Sequence, residues 1–468
     1  MSLFEEFKVL DSSQPLLVYE LNEVPWRVID WYIQRQPRSA LGSMLAQSTT
    51  YTTISHDEGE LHPWTTWPTL HRGVTNSVHN IRFINQNLEG AKDYPAIWET
   101  LQKAGKRVGL FGSLQSYPPS QGPDYDFYVP DTFSPGPEAW PRKYEAFQRF
   151  NLRQTYQDGA QAKPVKFDTN SAQDVLGMLK SGLRVSTCLA LTKHLIKERL
   201  DPKHRSRRSV MQALVAFDIF QDALNHSRPD FSTFFTNHVA GMMHRYWKYT
   251  FPEDFSYKNK TTEDKFHAES IAFAMNIASV QIGALMRYVD SRNGRLLLAT
   301  SMGQEAIDRG EYLGEWRITD VPQFLKAIAW TLPIRDLLAM QPDFNFALDS
   351  EADAEHFLAA ISVLVDANGQ SIWKRVQRID TTVNLGLSPS VAAITGGEVF
   401  LNDNSVESRR LTIAELGIEQ LQRDPGTAYH QPRGSFIIYG NGIHHNDSRK
   451  EVDLTEVRPA ILQMMGVR

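Results

Sequence analysis

Six short apolar runs, at residues 16–21, 107–112, 232–236, 295–300, 391–395 and 435–439, are set among longer stretches of helical periodicity. The helical patterns cover 94–104, 173–199, 210–225 and 263–290. A short run without polar alternation reads as a strand buried on both faces, and such strands belong to parallel sheets joined by helices. The pattern predicts an α/β fold, a mainly parallel central sheet flanked by helices, with ligands at the carboxyl ends of the strands. The insertion at 114–229 opens on Tyr117-Pro118-Pro119-Ser120-Gln121-Gly122-Pro123 and continues as helix. It is expected to form a mostly helical cap over the active-site edge, with 1–113 and 230–468 making the core.

Of the 468 residues, 41% are hydrophobic, enough for at least one large core. A net charge of −5 excludes a globally basic nucleic-acid binder, so no nucleic-acid polymer is expected as partner. The local basic run Lys203-His204-Arg205-Ser206-Arg207-Arg208 reads as a solvated turn between helices that can touch an anionic substrate or lipid headgroup. The one cysteine, Cys188, sits on what reads as a buried helix face, allows no intrachain disulfide and suits a reducing compartment. The start, Met1-Ser2-Leu3-Phe4-Glu5-Glu6-Phe7, lacks a signal-peptide pattern, and no run approaches the ~20 apolar residues of a membrane span. Cytoplasmic placement is the expectation; oligomeric state is left open.

Chemistry concentrates in His62-Pro63-Trp64-Thr65-Thr66-Trp67-Pro68-Thr69-Leu70-His71-Arg72-Gly73-Val74, followed by His79-Asn80-Ile81. Thr66 is expected where a strand ends and a helix begins, with Pro68 in the first turn. Helix-start N–H groups there would face an anion, and an activated hydroxyl could attack phosphorus or sulfur. The plainer alternative is an N-capping threonine.

This segment resembles the nucleophile segment of the alkaline phosphatase superfamily, most of all its type I phosphodiesterase/nucleotide pyrophosphatase branch, with Asn80 in place of the usual glycine. Four further segments fall in the family's order. Leu16 to Glu23 resembles the first strand, with Asn22 at the place of a metal-binding Asp and Glu23 at that of a Gly. The stretch from Phe231 to Trp247 resembles the strand and loop carrying an Asp and, four residues on, a His; His244 matches and Ala240 replaces the Asp. Leu296 to Gly303 resembles the strand ending in Ser-Asp-His-Gly, with Ser301 and Met302 at the ligand pair. His430 and the strand Phe436–Tyr439 with Gly440-Asn441-Gly442-Ile443 resemble the late His, the last strand and its turn.

The resemblance implies a dinuclear metal site from which four ligand places, Asn22, Ala240, Ser301 and Met302, are lost or weakened. The first ion would keep Thr66 and a neutral Asn22; the second would keep His244 and His430. Catalytic zinc generally takes three protein donors, so one divalent ion, zinc or manganese, needs a rebuilt site, or none is bound. His238 is the first candidate to complete a three-histidine set; hydrogen bonding to a loop backbone is its other reading. Glu20, Glu23 and Glu305 are the nearby carboxylates, and Gln304 can replace part of the missing pair.

Three functions follow. The first is a phosphodiesterase- or phosphatase-like enzyme acting through Thr66 on a small-molecule or glycan-linked phosphate. Here His238 and Glu23 serve acid–base roles, and Asn22, Asn237, Ser301 and Trp64 contact substrate. The second is a metal-independent glycosyl or phosphoryl transferase on the same scaffold. The third is a non-catalytic binding protein.

Overall fold

In the computed structural model the described residues are 7, 10–84, 86–119, 124–158, 169–256, 258, 260–307, 315–337, 339, 343–366, 368–387, 398–401, 409–421 and 426–467. An eight-stranded sheet forms the centre. In chain order its strands are β1 (Leu16–Leu21), β2 (Thr49–Ile54), β3 (Val108–Phe111), β4 (Phe127–Val129), β5 (Phe231–Thr236), β6 (Arg295–Ala299), β7 (Arg433–Gly440) and β8 (Asn446–Asp453). Their spatial order is β8-β2-β7-β6-β1-β5-β3-β4. β7 runs antiparallel to both its neighbours, while the remaining pairings are parallel. The predicted α/β class is what the chain adopts. Five of the six expected strands lie in this sheet, and the one at 391–395 falls outside the described residues.

β1 sits between β5 and β6 and is buried along its whole length. Period-two alternation divides its side chains between two cores. Leu17, Tyr19 and Leu21 join Phe234, Phe220 and the Ser270–Asp290 helix on one face. Leu16 and Val18 join Trp67, Leu297, Phe436 and Ile461 on the other. Glu20 falls on that second face, where His71 Nε2 lies 2.7 Å from its Oε1 and Ser113 donates to Oε2 at 2.8 Å. The partner that a buried strand carboxylate requires is thus supplied by the Pro63–Arg72 helix.

The expected cap at 114–229 is placed differently. It contributes β4 to the edge of the main sheet, and the Arg208–Ser227 helix buries Phe217 and Phe220 against Phe111 and Phe234 in the principal core. The long pattern at 173–199 is broken near Gly182, whose φ is +106°, into Thr169–Lys180 and Val185–Leu200. A unit with its own core arises later in the chain, between the strands Gly303–Ala306 and Ala428–Gln431. It holds an antiparallel four-stranded sheet whose Phe344, Phe346, Val383 and Leu385 pack with the helical Phe324 and Phe357. Its entering and leaving strands pair with each other, placing Gln304 opposite His430. Helix 210–225 matches its sequence pattern, and 263–290 splits at Glu269. The stretch Thr262–Asp290 is long and apolar enough to cross a bilayer by length and composition, and most of its buried apolar residues belong to the principal core.

Candidate active site

The carboxyl ends of β1, β5 and β6 lie side by side, so Asn22-Glu23, Asn237 and Ser301 share one edge of the sheet. Glu23 turns the chain with φ +63°, a left-handed conformation that glycine adopts freely and a glutamate adopts at a cost of roughly 1 kcal/mol or more. Its carboxylate is 2% exposed. Oε1 accepts from Asn22 Nδ2 at 2.6 Å, and Oε2 accepts from Gln304 Nε2. The ring nitrogens His244 Nε2 and His430 Nε2 stand 3.0 and 3.4 Å from the same Oε2. His244 is carried by the His238–Thr250 helix that follows β5, and His430 by the strand that closes the small unit.

The other nitrogen of each imidazole decides the chemistry. His244 Nδ1 lies 2.9 Å from the Ala428 carbonyl and His430 Nδ1 2.6 Å from the Leu61 carbonyl. A carbonyl only accepts, so both Nδ1 atoms carry the proton. The Nε2 atoms of the neutral rings are then two lone pairs aimed at a carboxylate, an arrangement stable only around a cation or with a ring protonated. Two imidazoles tethered through Nδ1 and one hydrogen-bonded carboxylate match the second-shell pattern of metal ligands. The three donor atoms lie within 4.8 Å of one another, which fits one divalent ion. Burial pushes the Glu23 carboxyl up, but the charges of His430 and His244 and their hydrogen bonds outweigh it, holding Glu23 well below the usual carboxylate range. Burial likewise opposes the charged form of His430; the Glu23 carboxylate outweighs it and raises His430.

Asn22 is committed within the protein. Trp67 Nε1 donates to its Oδ1 at 2.8 Å, and its Nδ2 also reaches Asn237 Oδ1 at 2.7 Å. Asn237 itself is exposed and available to a ligand. Thr66 is fully buried, with Oγ1 2.7 Å from Ser301 Oγ and 3.2 Å from the His62 carbonyl. The sequence places Thr66 at a helix start, whereas the helix begins at Pro63 and already includes Thr66, whose N–H donates to His62 O at 2.9 Å. Pro63 suits a first helical position better than Pro68, because that position needs no N–H donor. Pro68 lies inside the helix, and the Trp64 carbonyl it leaves unbonded accepts weakly from Gln115 Nε2 at 3.4 Å. Trp64 stacks on His62 with ring centroids 4.4 Å apart and donates through Nε1 to the Arg82 carbonyl.

His238 does not join His244 and His430, so the expected three-histidine set gives way to two histidines and Glu23. The resemblance implies a loop from Asn237 to Trp247; this stretch is helix from His238, and six residues of helix turn His238 about 120° away from His244. His238 instead has Nδ1 2.7 Å from Thr236 Oγ1 and Nε2 3.2 Å from the Ala274 carbonyl. His62 also lies beside the pair, though it is not among the residues expected from the sequence. Its Nδ1 is buried and has no partner among the described residues, its ring lies 5.8 Å from that of His430, and it lines a cleft with Trp64, Arg82, Asn345 and Arg375. Burial holds it neutral, with its pKa lowered to about 3. Its position just before Pro63 marks a helix cap, but nothing local in the sequence aims its ring at His430.

Burial also lowers His238 to about 4 and His79 to about 3. Both stay neutral in the folded chain, whereas the unfolded chain protonates them below pH ~6.5. Their contribution is therefore full above pH ~6.5 and is lost as pH falls toward the folded values, by roughly 2 kcal/mol per histidine at pH 5. In His238→Gln, which keeps a donor and an acceptor, the stability difference between pH 7 and pH 5 should shrink by about that amount in urea titrations. An unchanged difference would remove His238 as a source of acid sensitivity.

No protein-family model matches the chain, and no curated protein does. Among solved structures, murine ectonucleotide pyrophosphatase/phosphodiesterase 5 aligns at 10% identity and TM-score 0.42, over 97% of this chain and 96% of the other. Phosphonoacetate hydrolase from Sinorhizobium meliloti 1021 aligns at 14% and 0.39 over the same shares, and Thermus thermophilus alkaline phosphatase at 11% and 0.41 over 98% and 93%. At these identities and TM-scores, none of them assigns a role to a residue of this chain.

Proposed function

We propose that this chain hydrolyses small phosphate esters at a single divalent-cation centre held by Glu23, His244 and His430. The observation that carries the reading is the convergence of two Nδ1-tethered imidazoles on one buried carboxylate oxygen, at the carboxyl edge of a mainly parallel sheet. The choice of a phosphate ester is supported by the sequence resemblance of the Thr66 segment and by the Thr66–Ser301 hydroxyl pair on the same edge. A bound ion would supply Lewis-acid polarisation of a phosphoryl oxygen and a more acidic water.

The protein's own groups do the rest. Glu23, held ionised, is a poor proton acceptor and serves as ligand rather than general base. Gln304 and Asn22 fix its two oxygens. Thr66 Oγ1 attacks phosphorus and passes its proton through Ser301 Oγ, 2.7 Å away, to water; the ester's alcohol leaves and is protonated by water, and a second water then hydrolyses the phosphothreonine. In this reading Asn237, exposed on that edge, and Trp64, lining the cleft with His62, contact the ligand. Thr66→Ala should cut turnover of p-nitrophenyl phosphate or its diester by about a hundredfold or more, with Thr66→Ser retaining part of it. Parent-like turnover in Thr66→Ala would transfer the attack to water.

One observation favours a metal-free second reading. Glu23 raises His430, so the trio can persist as a carboxylate with an imidazolium. His430 could then protonate a leaving oxygen, as a phosphoryl or glycosyl transferase requires. Elemental analysis separates the two. Cytoplasmic placement stays part of the proposal, supported by the single cysteine.

A further inference from the structure

The Val185–Leu200 helix packs Cys188 and Leu191 toward the principal core and carries a second apolar stripe on its solvent side. Its buried positions are Thr187, His194 and Glu198. His194 Nε2 lies 3.2 Å from Glu198, and the same carboxylate takes a bidentate contact from Arg208. The opposite side carries Val185, Leu189, Ile196 and Leu200, which are 70, 66, 56 and 80% exposed. At 100° per residue these four fall within about 60° of one another, centred opposite the buried polar side. Leu176 and Leu179 on the preceding helix are also exposed among the described residues.

The exposed charges on this helix have one sign. Lys193 and Lys197 flank it on one side and Arg199 on the other, all exposed, and the following turn Pro202–Arg207 adds further cations. The helix's single acid, Glu198, is buried and paired, and Asp201 just beyond is held by Lys203 at 2.6 Å. A second copy of the chain docking by a two-fold axis would set lysine against lysine, a costly juxtaposition. An apolar stripe between rows of Lys and Arg matches instead a surface that is apolar below and negative above.

We infer that this face is a docking surface for an anionic lipid bilayer, with Val185, Leu189, Ile196 and Leu200 entering the acyl boundary and Lys193, Lys197 and Arg199 meeting phosphate headgroups. It is independent of the proposed catalytic centre. The test is co-sedimentation of the full chain with phosphatidylcholine vesicles, with and without about 30% phosphatidylserine, at low and at roughly 0.5 M salt. Partitioning should be at least about tenfold stronger on the anionic vesicles and weaken with salt. Leu189→Glu/Ile196→Glu should abolish it and Lys193→Glu/Lys197→Glu should weaken it, each with unchanged thermal unfolding because the replaced side chains are exposed. Absence of binding by the parent, or equal binding by the Leu189→Glu/Ile196→Glu variant, would overturn the inference. So would a parent dimer in light scattering that binds no vesicles and that this variant dissociates, which would hand the face to a second copy.

Discussion

Alanine at both His244 and His430 is expected to abolish divalent-ion retention, from about one equivalent in the parent to none, and to lower phosphoester turnover about a thousandfold. Glu23 would be left as the lone donor of the trio, and one carboxylate does not hold such an ion against dilution. Elemental analysis of tag-free protein reads the first effect and steady-state hydrolysis the second. Gln304→Ala should be milder, since it frees one oxygen of Glu23 without removing a donor, with metal affinity falling by roughly ten- to a hundredfold. A parent protein that is folded, active and metal-free would refute the ion centre and leave the imidazolium reading. A parent with bound metal that survives the double substitution would place the ion elsewhere.

Trp67→Ala is expected to carry a large stability cost, about 4 kcal/mol. The indole is fully buried in the second core, packed edge-on to Phe235 and beside His71. Its N–H also fixes Asn22, so the substitution loses packing and leaves a buried carbonyl oxygen unbonded. Trp67→Phe separates the two losses, keeping much of the volume while still stranding Asn22, at about 1–3 kcal/mol. Because Asn22 holds Glu23, both variants should weaken metal binding as well as folding. Urea titration and metal retention measured on the same samples check this. A Trp67→Ala variant unfolding at the parent's urea concentration would contradict the packing described here.

Several parts of this site were legible residue by residue. Glu23 at a place where the resemblance has glycine is matched by φ +63°, and Asn80, likewise at a glycine place, by φ +53°, which asparagine tolerates well. The pairing of His244 with His430 also followed from the resemblance, and the structure puts their rings 5.1 Å apart. His238 was misplaced because its role depends on whether 237–247 is loop or helix, and the apolar run Val239-Ala240-Gly241-Met242-Met243 fits either. The position of the cap was misread for a related reason. The 114–229 segment is helical and polar at its start, as a cap would be, yet its phenylalanines find the main sheet. Helical periodicity says that a face is buried, not against what.

By itself the sequence determined the sheet. Short apolar runs such as Leu296-Leu297-Leu298, recurring between longer helical patterns, fit strands buried between other strands with helices on both faces. It also determined that chemistry, if present, sits where those strands end. Only the tertiary structure decided which groups meet there. Glu23, His244, Gln304 and His430 come from four segments spread over most of the chain, and their convergence depends on the helix after β5 and on the antiparallel pairing that seats His430 opposite Gln304. Periodicity fixes the face a side chain occupies along its own element, whereas a distance between elements is set by packing that no local pattern encodes.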